Sequence, residues 1–221
     1  MRFCHPCISG VFDIDGRYIN TAVIENRKLL CEIIFDIHKQ TEGLKGKAVL
    51  SDKDKILDFS KNAELLSSFI PFDMNKKALI TKIISAIEKQ SVNPEHYSST
   101  MKILADTEKY LDSLASDFDC NILYSKITPS ALIKAVGIEI VDDYDNLAEK
   151  VIDYMELVRE FDREKLFITV NMRCFIDDNE AEQFMKTALE HEYNVLMIES
   201  NDYPRLQYEN RITVDEDLCE F

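Results

Sequence analysis

Leu166-Phe-Ile-Thr-Val170 and Val195-Leu-Met-Ile198, separated by the amphipathic stretch Asp178 to Glu192, decide the fold. Each run is short, β-rich and free of charged residues, with Thr169 the one polar side chain in either. That is how a strand covered on both faces reads, because neither side of its pleat meets water. Between them the apolar residues recur at helical spacing. A strand, a helix and a strand of this kind make a βαβ crossover, which sets the two strands parallel and the connection right-handed. The last third of the chain therefore predicts an α/β core.

Working outward, Arg27 to Gln40 carries Leu29, Leu30, Ile33, Ile34 and Ile37 on one helical face. Arg2 to Asn26 reads as short strands and turns, with a hairpin corner at Phe12 to Tyr18 around Gly16, and Thr41 to Lys55 as a loop or short strand. From Asn75 to Phe118 the helical period dominates. Asn75 is placed to cap a helix carrying Leu79, Ile83, Ile84 and Ile87. Asn93-Pro94 opens a second, with Tyr97, Met101, Leu104, Leu111, Leu114 and Phe118 inward, and the two suggest an antiparallel pair. Thr128-Pro129 is a cap followed by proline at the first helical position, and Gly137 ends that short helix. Its inward positions are Leu132, Ile133 and Val136, which leaves Lys134 pointing away. Asp145 to Phe161 forms one more helix. The expected organisation is an α/β head from residues 1–60 and 150–221, with an α-helical leg, 61–149, inserted in the chain.

The chain has 221 residues, of which 46% are hydrophobic, enough for a substantial core. Lys and Arg number 26 against 41 Asp and Glu, a formal net charge of −15. Such a balance argues against a uniformly basic nucleic-acid binder and against docking on anionic membranes. It leaves room for a local basic lining. Lys39 to Lys82 holds nine Lys against six acids (Glu42, Asp52, Asp54, Asp58, Glu64, Asp73), while Asn171 to the C-terminus holds thirteen acids against four bases. No apolar stretch approaches the roughly 18 residues of a spanning helix, and the N-terminus has no signal-peptide pattern. A cytoplasmic location is expected, and with it six unpaired cysteines.

Motifs for chemistry fail on spacing. Cys4-His5-Pro6-Cys7 does not follow a core strand or open a helix, as a redox dithiol does, and no second cysteine pair completes a zinc site. Asp13-Ile-Asp15-Gly16 lacks the remaining acids of a calcium loop. Gly43-Leu-Lys-Gly46-Lys47-Ala48 sets its glycines two residues too close for a phosphate loop and has alanine where a hydroxyl must hold magnesium. The four His show no metal spacing.

Several strings, taken in order, resemble one family. They are Ile24-Glu-Asn26 before the first helix, Pro71-Phe-Asp73-Met-Asn75, and Ile127-Thr128 with Leu132-Ile-Lys134 and Gly137-Ile138. Leu166 to Asn171, Asn194 to Glu199 and Val214-Asp-Glu-Asp217 complete the set. Together they resemble the spacer-adaptation protein of type II-A CRISPR loci, a ring-forming family that binds double-stranded DNA ends. The resemblance runs from about residue 20 to the end.

It implies an α/β head of degenerate phosphate-loop type, a helical leg, a homotetrameric ring around duplex DNA and calcium held by leg carboxylates. The positions aligned with the family's acidic run are Asp117, Asp119 and Asn121. Calcium takes about six to eight oxygens, so these supply part of a site. Lys134 falls at a basic position of the matching helix and is the leading DNA contact. Lys45, Lys47, Lys76 and Lys77 are added from local charge alone. The expected function is non-enzymatic, sequence-independent duplex binding in spacer acquisition. Its partners would be other CRISPR adaptation proteins and the effector nuclease, with no membrane. The alternatives are a divergent nucleotide-binding, ATPase-like enzyme and a protein–protein adaptor.

Overall fold

A computed structural model describes residues 1–53 and 55–221. Asp54, one of the acids counted in the Lys-rich segment, lies outside the described residues. The strands are β1 (Arg2–Cys4), β2 (Val11–Asp13), β3 (Ile19–Ile24), β4 (Val49–Asp52), β5 (Lys55–Leu57), β6 (Ala63–Leu66), β7 (Leu166–Val170), β8 (Asn194–Glu199) and β9 (Glu209–Val214). The helices are α1 (Arg27–Thr41), α2 (Phe59–Asn62), α3 (Lys77–Ser91), α4 (Tyr97–Ala115), α5 (Pro129–Val136), α6 (Leu147–Arg159) and α7 (Asp178–Glu190), with a 3-10 turn at Met172–Cys174.

The chain forms two compact units, Met1–Asp73 with Asp143–Phe221, and Met74–Asp142. The first is an α/β unit. Its five-stranded sheet has the order β6-β7-β8-β3-β9, and every neighbouring pair is parallel. The predicted β7–α7–β8 crossover is present, with Leu166 opposite Asn194 and Val170 opposite Ile198. Both strands are buried almost throughout, as their continuous apolar runs require. Strand β6, within the stretch assigned above to the leg, forms one edge of this sheet.

A second, antiparallel sheet has the order β2-β1-β4-β5. Phe3 sits opposite both Phe12 and Leu50, and all three are buried. They join Ile33 and Ile37 of α1 and Leu196 and Ile198 of β8 in one core cluster. Helix α1 thus buries its apolar stripe between the sheets. Each fully buried Ile contributes roughly 1.5–3 kcal/mol. The segment Phe12 to Tyr18 is not a hairpin. Strand β2 pairs with β1, and β3 enters the other sheet, so the chain turns a corner between sheets. Three-residue strands leave too little periodicity to distinguish the two arrangements.

The second unit contains α3, α4 and α5. Asn75 does not cap α3. Its Oδ1 accepts the Ile140 N–H at 2.7 Å and its Nδ2 donates to the Ile140 carbonyl at 3.1 Å. Lys76 takes the cap position, where no side chain makes the capping bond. Helix α5 begins as its sequence predicts. Thr128 Oγ1 accepts the Ala131 N–H at 3.2 Å, Pro129 is the first helical residue, and Gly137 follows at φ +67°.

Among the predicted inward positions of α4, Leu104 is buried and Met101 and Leu111 half-buried, but Tyr97 and Leu114 are exposed, as is Phe118 beyond it. Val136 of α5 is 72% exposed. Three helices of this length cannot cover every apolar side chain they carry, so periodicity alone overstates burial here.

Candidate nucleic-acid interface

Lys134 belongs to the last turn of α5, where a cation is favoured by the carbonyl end of the helix. Its side chain is 64% exposed, and Nζ lies 3.8 Å from Glu88 Oε1 on α3. Ser130, one turn earlier, donates its hydroxyl to the same Glu88 oxygen. Glu88 therefore ties α5 to α3 and also faces the cation. An exposed pair of this kind contributes about 0–1 kcal/mol, so Lys134 can exchange Glu88 for another anion at little cost.

The remaining lysines sit on different elements. Lys77 is exposed at the start of α3, and Lys76 is half-buried just before it. Lys45 is exposed in the turn after α1. Lys47 is already engaged, with Nζ 2.7 Å from Glu32 Oε1 and its backbone N–H donating to the Asp36 carboxylate at 2.9 Å. The hydrogen bond from Lys47 holds the Glu32 carboxyl below its usual range and raises the lysine in turn. Of the five lysines, Lys45 and Lys47 lie in the α/β unit and Lys76, Lys77 and Lys134 in the helical unit.

Asp117, Asp119 and Asn121 are exposed in the loop that follows α4. Tyr124 returns this loop to the helix by donating to Asp112 Oδ1 at 2.5 Å and to the Glu108 carbonyl at 3.1 Å. The Asp112 bond pushes the phenol up to about 12. Among the described residues, no group of three or more His, Cys, Asp or Glu is placed to hold a metal ion. Asp117, Asp119 and Asn121 by themselves supply only part of the roughly six to eight oxygens that calcium takes.

The place where an α/β sheet of this order takes a ligand is the carboxyl end of the strands where the connections diverge, between β3 and β8. Here β3 passes into α1 through Glu25 and Asn26 alone. Asn26 Oδ1 accepts the Leu29 N–H, Asn26 Nδ2 donates to the Glu216 carbonyl at 2.9 Å, and the Glu25 N–H donates to the Val214 carbonyl. The helix start is thus occupied by its own cap and by the C-terminal segment. The Gly43–Ala48 string lies at the opposite end of α1. Gly43, at φ +79°, closes the helix, and the Gln40 side chain fills the space a Cβ on Gly46 would need. A phosphate loop has to precede a helix, so this string cannot serve as one.

Cys4 ends β1 and Cys7 follows in a turn, with no helix after it. Burial, and then the Glu32 charge, raise the Cys7 thiol. No helix is long and apolar enough to cross a membrane among the described residues.

Sequence reasoning named Lys134 and read Asn75 as a helix cap, but did not single out Glu88, Ser130 or Tyr124, nor the Asn75 bonds to Ile140. Ser130 and Glu88 are 42 positions apart, and Asn75 and Ile140 are 65 apart. No local pattern signals contacts at that range.

The sequence pattern of the family described as CRISPR-associated protein (Cas_Csn2) matches residues 40–218. A CRISPR-associated protein Csn2 from Enterococcus faecalis is 23% identical over 136 residues, which are 61% of this chain and 62% of that protein. The match therefore spans less than two thirds of the enterococcal relative. A CRISPR-associated protein Csn2 from Streptococcus agalactiae is 22% identical over 171 residues, 76% of this chain and 75% of that protein.

Proposed function

Because this chain belongs to the CRISPR-associated Csn2 family, we propose that it serves spacer acquisition by binding double-stranded DNA ends without regard to sequence and without catalysis. The binding form is a homotetrameric ring. Lys134 supplies the leading phosphate contact, and Lys45, Lys47, Lys76 and Lys77 add to the basic lining.

The observation that carries this reading is the setting of Lys134. It is a mostly exposed cation on a capped helix, held among the described residues by a weak pair to Glu88. Such a cation can release its carboxylate and take a phosphate. Contacts of this type release counterions, so affinity falls steeply with salt and carries no base preference. A ring accommodates the net charge of −15 by directing a minority of lysines inward and leaving the acids to solvent. Duplex then is retained by enclosure as well as by contact energy. Calcium at Asp117, Asp119 and Asn121 would need oxygens from outside one chain. Other CRISPR adaptation proteins and the effector nuclease are the proposed partners.

The rival nucleotide hydrolase lacks support at the β3–α1 connection, where the helix start is already capped. Competition between linear and covalently closed duplex of equal length tests the proposal. Preference for the linear form is expected, since a closed ring must be threaded. Equal binding would indicate an open groove, and no binding at low salt would favour the adaptor.

A further inference from the structure

Glu199 closes β8 and is fully buried. Its Oε1 accepts the Arg173 backbone N–H at 3.3 Å, while Oε2 has no hydrogen-bond partner among the described residues. A bare, ionised oxygen in this position is costly, so the site favours the neutral acid.

The adjoining loop, residues 201–206, is held by two guanidinium groups. Arg211 donates to the Tyr203 carbonyl at 2.6 Å and is neutralised by Asp202 and Glu209, at 2.5 and 2.7 Å. Arg173 donates to the Pro204 carbonyl at 3.1 Å and lies 4.8 Å from the centre of the Tyr203 ring. Its carboxylate partner is Asp178 at 2.6 Å, which is half-exposed, whereas the Arg173 side chain itself is buried. Cys174, next along the 3-10 turn, lies with Sγ 3.2 Å from the Tyr203 hydroxyl. The charged and titratable groups that act on Glu199 are Arg173 from the turn, Tyr203 from the loop and Glu209 from β9; Asp178 of α7 pairs with Arg173, Cys174 meets Tyr203, and Asp202 and Glu209 pair with Arg211 of β9.

We propose that Glu199 is a proton-controlled latch for the 201–206 loop: neutral, it leaves Arg173 on Pro204 and Tyr203; ionised, it draws Arg173 inward and frees the loop. The cation is shared by competition. Arg211 already has two carboxylates, so Arg173 is the one that a newly ionised Glu199 can recruit. Asn171, left-handed at φ 55°, fixes the opposing wall by accepting the Ser200 N–H at 2.7 Å. Movement is thereby confined to the far side of the loop.

Burial raises the Glu199 carboxyl to about 7 against an ordinary value of 4.5, with the Arg173 N–H and charge opposing. Opening the loop returns the group toward its ordinary value. Between the two values the open form sheds a proton that the closed form keeps. Opening therefore becomes more favourable by up to about tenfold per pH unit, then levels off once both forms are ionised.

The experiment is amide hydrogen exchange of residues 201–206 in the full chain from about pH 5.5 to 8.5, corrected for intrinsic rates. Protection should fall by close to tenfold per unit up to pH ~7 and then plateau, and Glu199→Gln should abolish the fall. A flat wild-type profile, or an unchanged slope in Glu199→Gln, overturns the latch. If the variant does not fold, a carboxyl carbon NMR titration of wild type decides. Titration of Glu199 near 7 together with the loss of protection supports the latch, and titration near the ordinary value overturns it.

Discussion

The Lys134 ammonium and the Glu88 carboxylate are 3.8 Å apart across the α3–α5 contact, and Glu88 also accepts the Ser130 hydroxyl. One carboxylate thus does two things. It fastens a short helix, and it offsets the charge of the residue proposed to meet phosphate. These two roles separate on substitution, because the hydrogen bond needs only an acceptor while the pairing needs a charge.

Glu88→Gln keeps an acceptor for Ser130 and removes the negative charge. Duplex affinity at low salt should rise, by roughly fivefold for each Lys134 that meets a phosphate if one unit charge at about 4 Å in high dielectric is worth ~1 kcal/mol. Lys134→Glu should weaken binding uniformly across sequences. It should also reduce the salt slope by about 0.9 for each phosphate that is no longer neutralised. Fluorescence anisotropy across a salt series reads both. An unchanged slope in Lys134→Glu would remove this residue from the interface.

Ile103, Tyr110 and Leu114 are exposed and recur at helical spacing along α4, on a face distinct from that of buried Leu104. Their spacing suits a subunit contact. Sedimentation should give a tetramer at micromolar concentration, and Leu114→Glu should shift it to smaller species with far-UV circular dichroism unchanged. A wild-type chain that sediments only as a monomer would end the ring reading.

The Asn75 side chain bridges residues 65 positions apart through both its oxygen and its nitrogen. Asn75→Ala should cost about 1–3 kcal/mol, because it strands the Ile140 backbone groups. Thr128→Ala should cost roughly 1 kcal/mol through loss of the α5 cap. Urea unfolding followed by circular dichroism measures both, the chain having no tryptophan.

His5 is almost fully buried, with Nε2 3.5 Å from Asp36 Oδ2 and Nδ1 accepting the Cys7 N–H. Burial lowers its pKa, and Asp36 opposes this only in part. A histidine depressed in the folded state stabilises the fold above its unfolded value near 6.5. That contribution is lost as pH falls from there through the folded value. The thermal midpoint should therefore drop between pH 7.5 and 5, and His5→Asn should flatten the drop. An equal drop in the variant would assign the proton uptake elsewhere.

The α/β class, the β7–α7–β8 crossover, α1 and the capped start of α5 were all legible in the chain. Each rests on interactions within a few residues or on a period repeated over one element. Leu166–Val170 has no charged residue on either side, and Thr128-Pro129 carries its own cap. The corner at Gly16, the role of Asn75 and the exposure of Val136 and Leu114 were not legible. Each depends on what another part of the chain brings alongside. The same holds for the functional groups. Lys134 could be named from its helix, but Glu88 beside it, and the company of Arg173 around Glu199, exist only once distant segments are packed together. Sequence dictates which groups are available and which elements carry them. Their pairing, and hence their charge and cost of release, is decided by tertiary contacts, because electrostatic and hydrogen-bond energies depend on distances of a few ångströms that local periodicity does not encode.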